Sequence, residues 1–301
     1  MNAGHGLDVD NTLSASGAVT IKDSVFNMNA MPAIVTDGML IGTNGPLTIQ
    51  GVTASSNGGD GLHIGAASKI TIKNSVFSNN RYVGPPADGD GIEVMLGTAA
   101  DVTLDNVQVN DNRMAGIALT TLGNITLNNV SASRNINVNI ALNNAGAMPD
   151  KKSVTVNSAV LNNSGGNGMN INASGKVTLN HITALANTGT GMNVMNMGGT
   201  SAVTILDSKG PNRIDGNTGA GLIIQSSGKV SLKGVTSIRN GAQGADIQNP
   251  GALNDSQSVT ITSSVFDMNG AYGLQVISRG AILVTNVTAN WNTTGDGAVL
   301  V

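Results

Sequence analysis

A short alternation of apolar, polar and apolar residues recurs along the whole chain. It begins at Val19, Leu47, Ile70, Val102, Ile125, Val154, Val177, Val203, Val230, Val259 and Ile282, at intervals of 28, 23, 32, 23, 29, 23, 26, 27, 29 and 23 residues. Thr holds the central position in nine of these eleven repeats, from Thr20 and Thr48 to Thr260. A period of two marks a strand with one buried face. Two positions beyond the strand core comes a turn residue such as Asp23, Gly51, Asn74, Asn106 or Asn129. A second inward pair follows, as in Val52 with Ala54 or Val107 with Val109. Farther on, in most repeats, a Gly opens a third strand, as in Gly61-Leu62-His63-Ile64 and Gly221-Leu222-Ile223-Ile224.

Ten residues after each repeat begins stands an Asn in nine of eleven cases: Asn29, Asn57, Asn80, Asn112, Asn135, Asn187, Asn240, Asn269 and Asn292. An amide carries both donors and acceptors, so stacked Asn side chains can hydrogen-bond along a turn where the backbone ladder is broken. Asn also tolerates the left-handed backbone such corners require. One repeat cannot bury its own apolar side, but a stack of repeats can. The pattern therefore predicts an all-β right-handed parallel β-helix of about 11–12 coils, with three parallel sheets and Asn-rich turns. Residues 1–301 are expected to form one such domain, a piece of a longer repeat protein.

Gly followed by alternating apolar residues, then V-T-I-x-N and a closing Asn, resembles the repeats of the pectate-lyase-like β-helix superfamily, most closely those of large bacterial surface proteins. The resemblance runs from Gly6 to Val301. It implies the fold. It leaves open polysaccharide lyases, hydrolases, tailspikes and surface rods, since a fold of this kind hosts many activities.

Composition narrows those classes. Charged residues make up 11 % of the chain and aromatics 2 %, with a net charge of −3 and no cysteine. No basic stripe exists for nucleic acid, and no run of 18 apolar residues exists to span a membrane. No metal-ligand spacing links the three histidines, so neither metal nor cofactor is expected. The repeat is already running at Gly6, which would put any export signal upstream.

Carbohydrate cleavage needs carboxylates at fixed separations, and the chain has a single glutamate, Glu93. Glu93 and His63 occupy equivalent outward positions on consecutive third strands, which makes them expected neighbours. The insertion between Asn80 and Gly91 adds Arg81, Tyr82, Asp88 and Asp90, and Asp60 lies on the preceding coil. If the chain is an enzyme, His63, Glu93, Asp88, Asp90 and Arg81 are its candidate residues. The favoured expectation is a polar ladder on a solvated sheet and no catalysis, with polysaccharide binding or cleavage as the alternative.

Alternate coils carry an insertion after the third strand, around 37–46, 95–101, 141–153, 195–202 and 247–258. These segments are apolar for loops and include Met39, Leu40, Met95, Leu96, Met148, Met195, Met197 and Leu253. Exposed Met often marks an adaptable contact. They predict a contact ridge toward other copies of the chain, flanking repeats or a surface glycan. Sequence alone thus favours an extracellular or cell-surface adhesive rod able to self-associate.

Overall fold

A computed structural model describes residues 4–13, 16–29, 35–81, 88–146, 151–249 and 257–301. Twelve parallel strands, from Leu7–Asn11 to Ala298–Leu300, stack in strict chain order into one sheet. The recurrent Val/Ile-Thr-Ile/Leu segments stack into a second sheet of thirteen parallel strands. Among the described residues there is no helix. The chain is a parallel β-helix, as the alternation predicts.

The first and second strands of each coil largely run into one another. Lys69–Val76, Asp101–Gln108 and Ile125–Ser131 each carry both, so two of the three predicted faces share one hydrogen-bonded sheet. A single residue with positive φ bends each of these strands: Asn74 at 50°, Asn106 at 54° and Asn129 at 52°. Asn accepts this conformation more readily than other residues with a side chain. That preference explains the turn residue two positions beyond each strand core.

Like pairs with like from coil to coil, as Ile70 with Val102, Thr71 with Thr103 and Ile72 with Leu104, with a register shift at Ile41–Gly42 in the other sheet. Inward residues stack on inward residues, and Ile49, Ile72, Leu104, Leu127 and Leu179 are all fully buried. Phe77 and Phe266, the two largest fully buried side chains, fill the second-strand face. Outward positions keep their Thr column half-exposed, which suits a branched side chain on a pleated surface.

The Asn column forms as expected. In each regular coil the backbone N–H and the Nδ2 of one Asn both donate to Oδ1 of the next, as from Asn57 to Asn80 at 3.0 and 3.1 Å and from Asn80 to Asn112 at 3.0 Å each. The opening glycines face this column. A Cβ on Gly61 would lie 2.7 Å from Asn80 Nδ2 and 2.6 Å from the carbonyl oxygen of Gly91.

Two coils that break the Asn spacing keep the ladder by other means. In one, an insertion before Asn212–Asp215 moves the ladder residue to Asn217, which receives the Asn187 amide at 2.8 Å. In the other, Ser164 occupies the column and Asn139 supplies the amide from the position where neighbouring coils have glycine.

The predicted contact ridge does not form as a set. Met39 and Leu96 are buried in the core, because each follows the inward register of its coil. Leu40 is half-buried on the outer face of its strand. Met95, Met195 and Met197 are exposed, and Met148 and Leu253 lie outside the described residues. The apparent loop at 37–46 is mostly taken up by two strands, Met39–Thr43 and Pro46–Gln50, in which Met39, Ile41, Leu47 and Ile49 face inward.

Candidate functional site

The residue just before each opening glycine forms its own column, and in four consecutive coils it is His5, Asp37, Asp60 and Asp90. Backbone N–H groups bind this column to itself. Asp37 N–H donates to His5 Nδ1 at 3.0 Å, Asp60 N–H to Asp37 Oδ1 at 2.8 Å, and Asp90 N–H to Asp60 Oδ1 at 2.7 Å. The column ends where Ala115 N–H donates to Asp90 Oδ1 at 2.5 Å. Each carboxylate thus caps a backbone donor of the next coil, which fixes its orientation.

His63 and Glu93 stand beside that column on the outer face. Their strands, Leu62–Ala66 and Ile92–Met95, pair with His63 directly opposite Glu93. His63 Nδ1 lies 2.8 Å from Glu93 Oε2 and 3.5 Å from Asp60 Oδ2. Both contacts use Nδ1, and among the described residues none bonds Nε2. Their side chains are 30 % and 24 % exposed, whereas that of Asp60 is 1 % exposed. Solvent therefore meets the pair, with a buried acid beneath it.

Burial and pairing pull these groups apart electrostatically. Hydrogen bonds that Asp60 and then Glu93 accept hold the His63 imidazolium up to about 10. The same bond from His63 holds Glu93 below the ordinary carboxylate range. Desolvation raises Asp37, lifts Asp60 well above its usual value and carries Asp90 to about 7. Acid and anion roles are divided among neighbouring groups in this way at many acid–base sites.

Asp60, His63 and Glu93 could each offer one ligand atom to a metal ion within 4.8 Å of the others, and so could Asp37, Asp60 and Asp88. A hard cation such as Ca²⁺ takes about six to eight oxygen ligands. Either triad would leave most of that shell to water or substrate.

Two shallow grooves meet at the pair and follow the outer face of the twelve-stranded sheet. One, of about 420 Å³, starts at Glu93 and is floored by Ala118 and Ala141, with Asn143, Asn170, Asn172 and Asn193 along it. The other, of about 450 Å³, starts at His63 and reaches Leu40, Asp8 and Asp10. Together they form an open trough along the stack with the ion pair in its floor.

The structure brings His63, Glu93, Asp88 and Asp90 together with Asp60. It does not bring in Arg81, whose Nε donates to the carbonyl oxygen of Asp111 at 3.3 Å, away from the carboxylates. Tyr82 lies outside the described residues. Asp37 and His5 belong to the site but fall outside the residues expected from the insertion. The signal for Asp37 is the repeated Asp-Gly at 37–38, 60–61 and 90–91, which marks one column rather than one loop.

A family model described as a right-handed β-helix region matches residues 37–209. No curated protein matches the chain in sequence. Among solved structures it is similar to the A-module of Azotobacter vinelandii mannuronan C-5 epimerase AlgE6, at 13 % identity and a TM-score of 0.40, over 95 % of this chain and 91 % of that one. That likeness assigns no residue of this chain a role. The expectation of a chain without catalysis is corrected only this far: the matched module comes from an enzyme, and a likeness at this level gives this chain no activity of its own. The His63–Glu93 cross-strand pair does form on the solvated face, and beneath it Asp37, Asp60 and Asp90 add a column of carboxylates fixed by backbone N–H groups.

Proposed function

Because the chain belongs to the right-handed β-helix family, we propose that its open trough binds a polysaccharide and that the His63–Glu93 pair cleaves it. The observation that carries this reading is the position of the pair. It lies in the floor where two grooves meet, so an extended polymer would cross it with subsites on both sides. A small-molecule site would instead enclose most of its ligand.

In this reading Glu93 keeps the imidazole oriented through Nδ1, as a carboxylate orients histidine in other acid–base sites. Nε2–H then faces the trough and donates its proton to the leaving glycosidic oxygen, while a water molecule adds to the anomeric carbon in its place and returns a proton to the imidazole through solvent. Asp60 holds the ring from below and supports the imidazolium. The amides of Asn143, Asn170 and Asn193 offer both donors and acceptors to sugar hydroxyls along the strand direction. A polymeric glycan substrate would place this work outside the cytoplasm.

The test measures new reducing ends released from a polysaccharide panel by the wild type, His63→Gln and Glu93→Gln. Cleavage by the wild type and loss in both variants, with binding retained by Glu93→Gln, is the expected result. Equal cleavage by all three would remove the pair from the reaction. Absence of both binding and cleavage across the panel would end the polysaccharide reading.

A further inference from the structure

The twelve strands of the sheet whose outer face holds the trough contain no Lys and no Arg. Their outward charges are Asp8, Asp10, Glu93 and Asp246, against His63 alone. The other sheet carries Lys22, Lys69, Lys73, Arg213 and Lys233 in its strands, so the cations of the strand scaffold all face elsewhere. Beneath the trough lie Asp37, Asp60 and Asp90, which add acid and no cation.

Resting on the polysaccharide reading above, we propose that the trough selects an uncharged polysaccharide, bearing hydroxyl or acetamido groups, and rejects polyuronates and sulfated chains. An anionic polymer recognised directly by protein needs guanidinium or ammonium groups to meet its charge, and fork-shaped Arg contacts are the usual solution. The strands of this face offer none, and their one cation, the His63 imidazolium, is already held by Glu93. A repeating carboxylate laid along it would meet Glu93 at close range and Asp8, Asp10 and Asp246 farther along, and like-charge contacts of this kind discriminate strongly between partners. Neutral side chains fill the rest of the surface. Ala118 and Ala141 leave room on the floor, and Thr120, Asn143, Asn170 and Asn193 supply neutral donors and acceptors. The twelve strands also lack Phe, Tyr and Trp, so hydrogen bonds rather than ring stacking must hold the sugar.

Calorimetric titration of the full chain with a cello-oligosaccharide, a chito-oligosaccharide and polygalacturonate, at low and high salt in the presence of EDTA, tests the assignment. At least one neutral oligosaccharide should bind about tenfold or more tighter than polygalacturonate at low salt. Its affinity should be insensitive to salt, while the residual polygalacturonate affinity rises as salt screens the repulsion. Ala141→Lys places a cation on the trough floor and should shift the ratio toward polygalacturonate. Equal or tighter binding of polygalacturonate by the wild type would overturn the selectivity while leaving the polysaccharide reading intact. So would polygalacturonate binding that appears only when calcium replaces EDTA. Binding of no glycan from either class would overturn both.

Discussion

The Nδ2 of Asn139 donates to Oδ1 of Asn187 at 3.3 Å, passing over a coil whose own column position is Ser164. Ser164 N–H donates to the same oxygen at 2.9 Å. On the other side, Asn135 Nδ2 donates to Asn139 Oδ1 at 2.8 Å. One asparagine normally does all of this. Here the work is divided between a serine backbone and an asparagine that replaces the opening glycine. The exchange is possible because the glycine Cβ direction points straight into the column, as it does at Gly168 toward Asn187.

The first prediction follows from that exchange. Asn139→Gly leaves buried amides unpaired and should destabilise the chain by about 1–3 kcal/mol. Ser164→Asn alone should clash with Asn139 and also destabilise. The double variant restores the arrangement of the flanking coils, so its denaturation midpoint should recover toward that of the wild type. Additive losses in the double variant would refute the exchange.

A second prediction concerns the His63 imidazole. The Asp60 hydrogen bond is the largest cause of its elevation, and Glu93 comes next. Asp60→Asn should therefore lower the imidazole titration more than Glu93→Gln does. Histidine ring resonances followed by NMR across pH would rank the two. The reverse order would mean that the exposed pair, and not the buried acid, sets the charge of the ring.

Stability should depend on pH with a definite sign. Asp90 titrates near 7 in the fold against an ordinary 3.8, so between these values the native chain holds more protons than the unfolded one. Its contribution is fully present below the lower value and is lost as pH rises through the upper. His63, at about 10 against 6.5, continues the decline on the alkaline side. Glu93, which is lowered, acts oppositely and only in acid. Denaturant midpoints should thus fall from mildly acidic to alkaline pH, and Asp90→Asn should flatten the acidic part of that slope. A wild-type midpoint that rises steadily with pH would contradict the assignment.

Core packing supplies a fourth test. Phe77 is fully buried and its carbonyl oxygen accepts from Asn112 Nδ2 at 3.1 Å. Phe77→Ala should cost about 3–5 kcal/mol, as for other large aromatic truncations. Coils in a solenoid support only their neighbours, so hydrogen exchange should rise first in the adjacent coils. Uniform loss of protection along the whole stack would indicate a more global coupling.

Much of this protein is legible in its sequence because a coil meets the same environment at each step. A period of two names the inward residues Ile70, Ile72, Val102 and Leu104, and stacking like on like makes their register unambiguous. Nine Asn residues at one spacing disclose their column, and the neighbouring pair His63 and Glu93 follows from the same count. Tertiary structure decided what counting along the chain cannot see. Asn139 joins the column from a glycine position, Asn217 reaches it past an insertion, and Arg81 turns away from the acids its loop accompanies. Asp37 joins Asp60 across 23 residues by accepting at Oδ1 from the Asp60 N–H, a hydrogen bond that only stacking creates. Spacing records where a residue lies on its own coil. The fate of a buried amide or carboxylate depends on which donor the next coil presents, and that is fixed only when the coils are stacked.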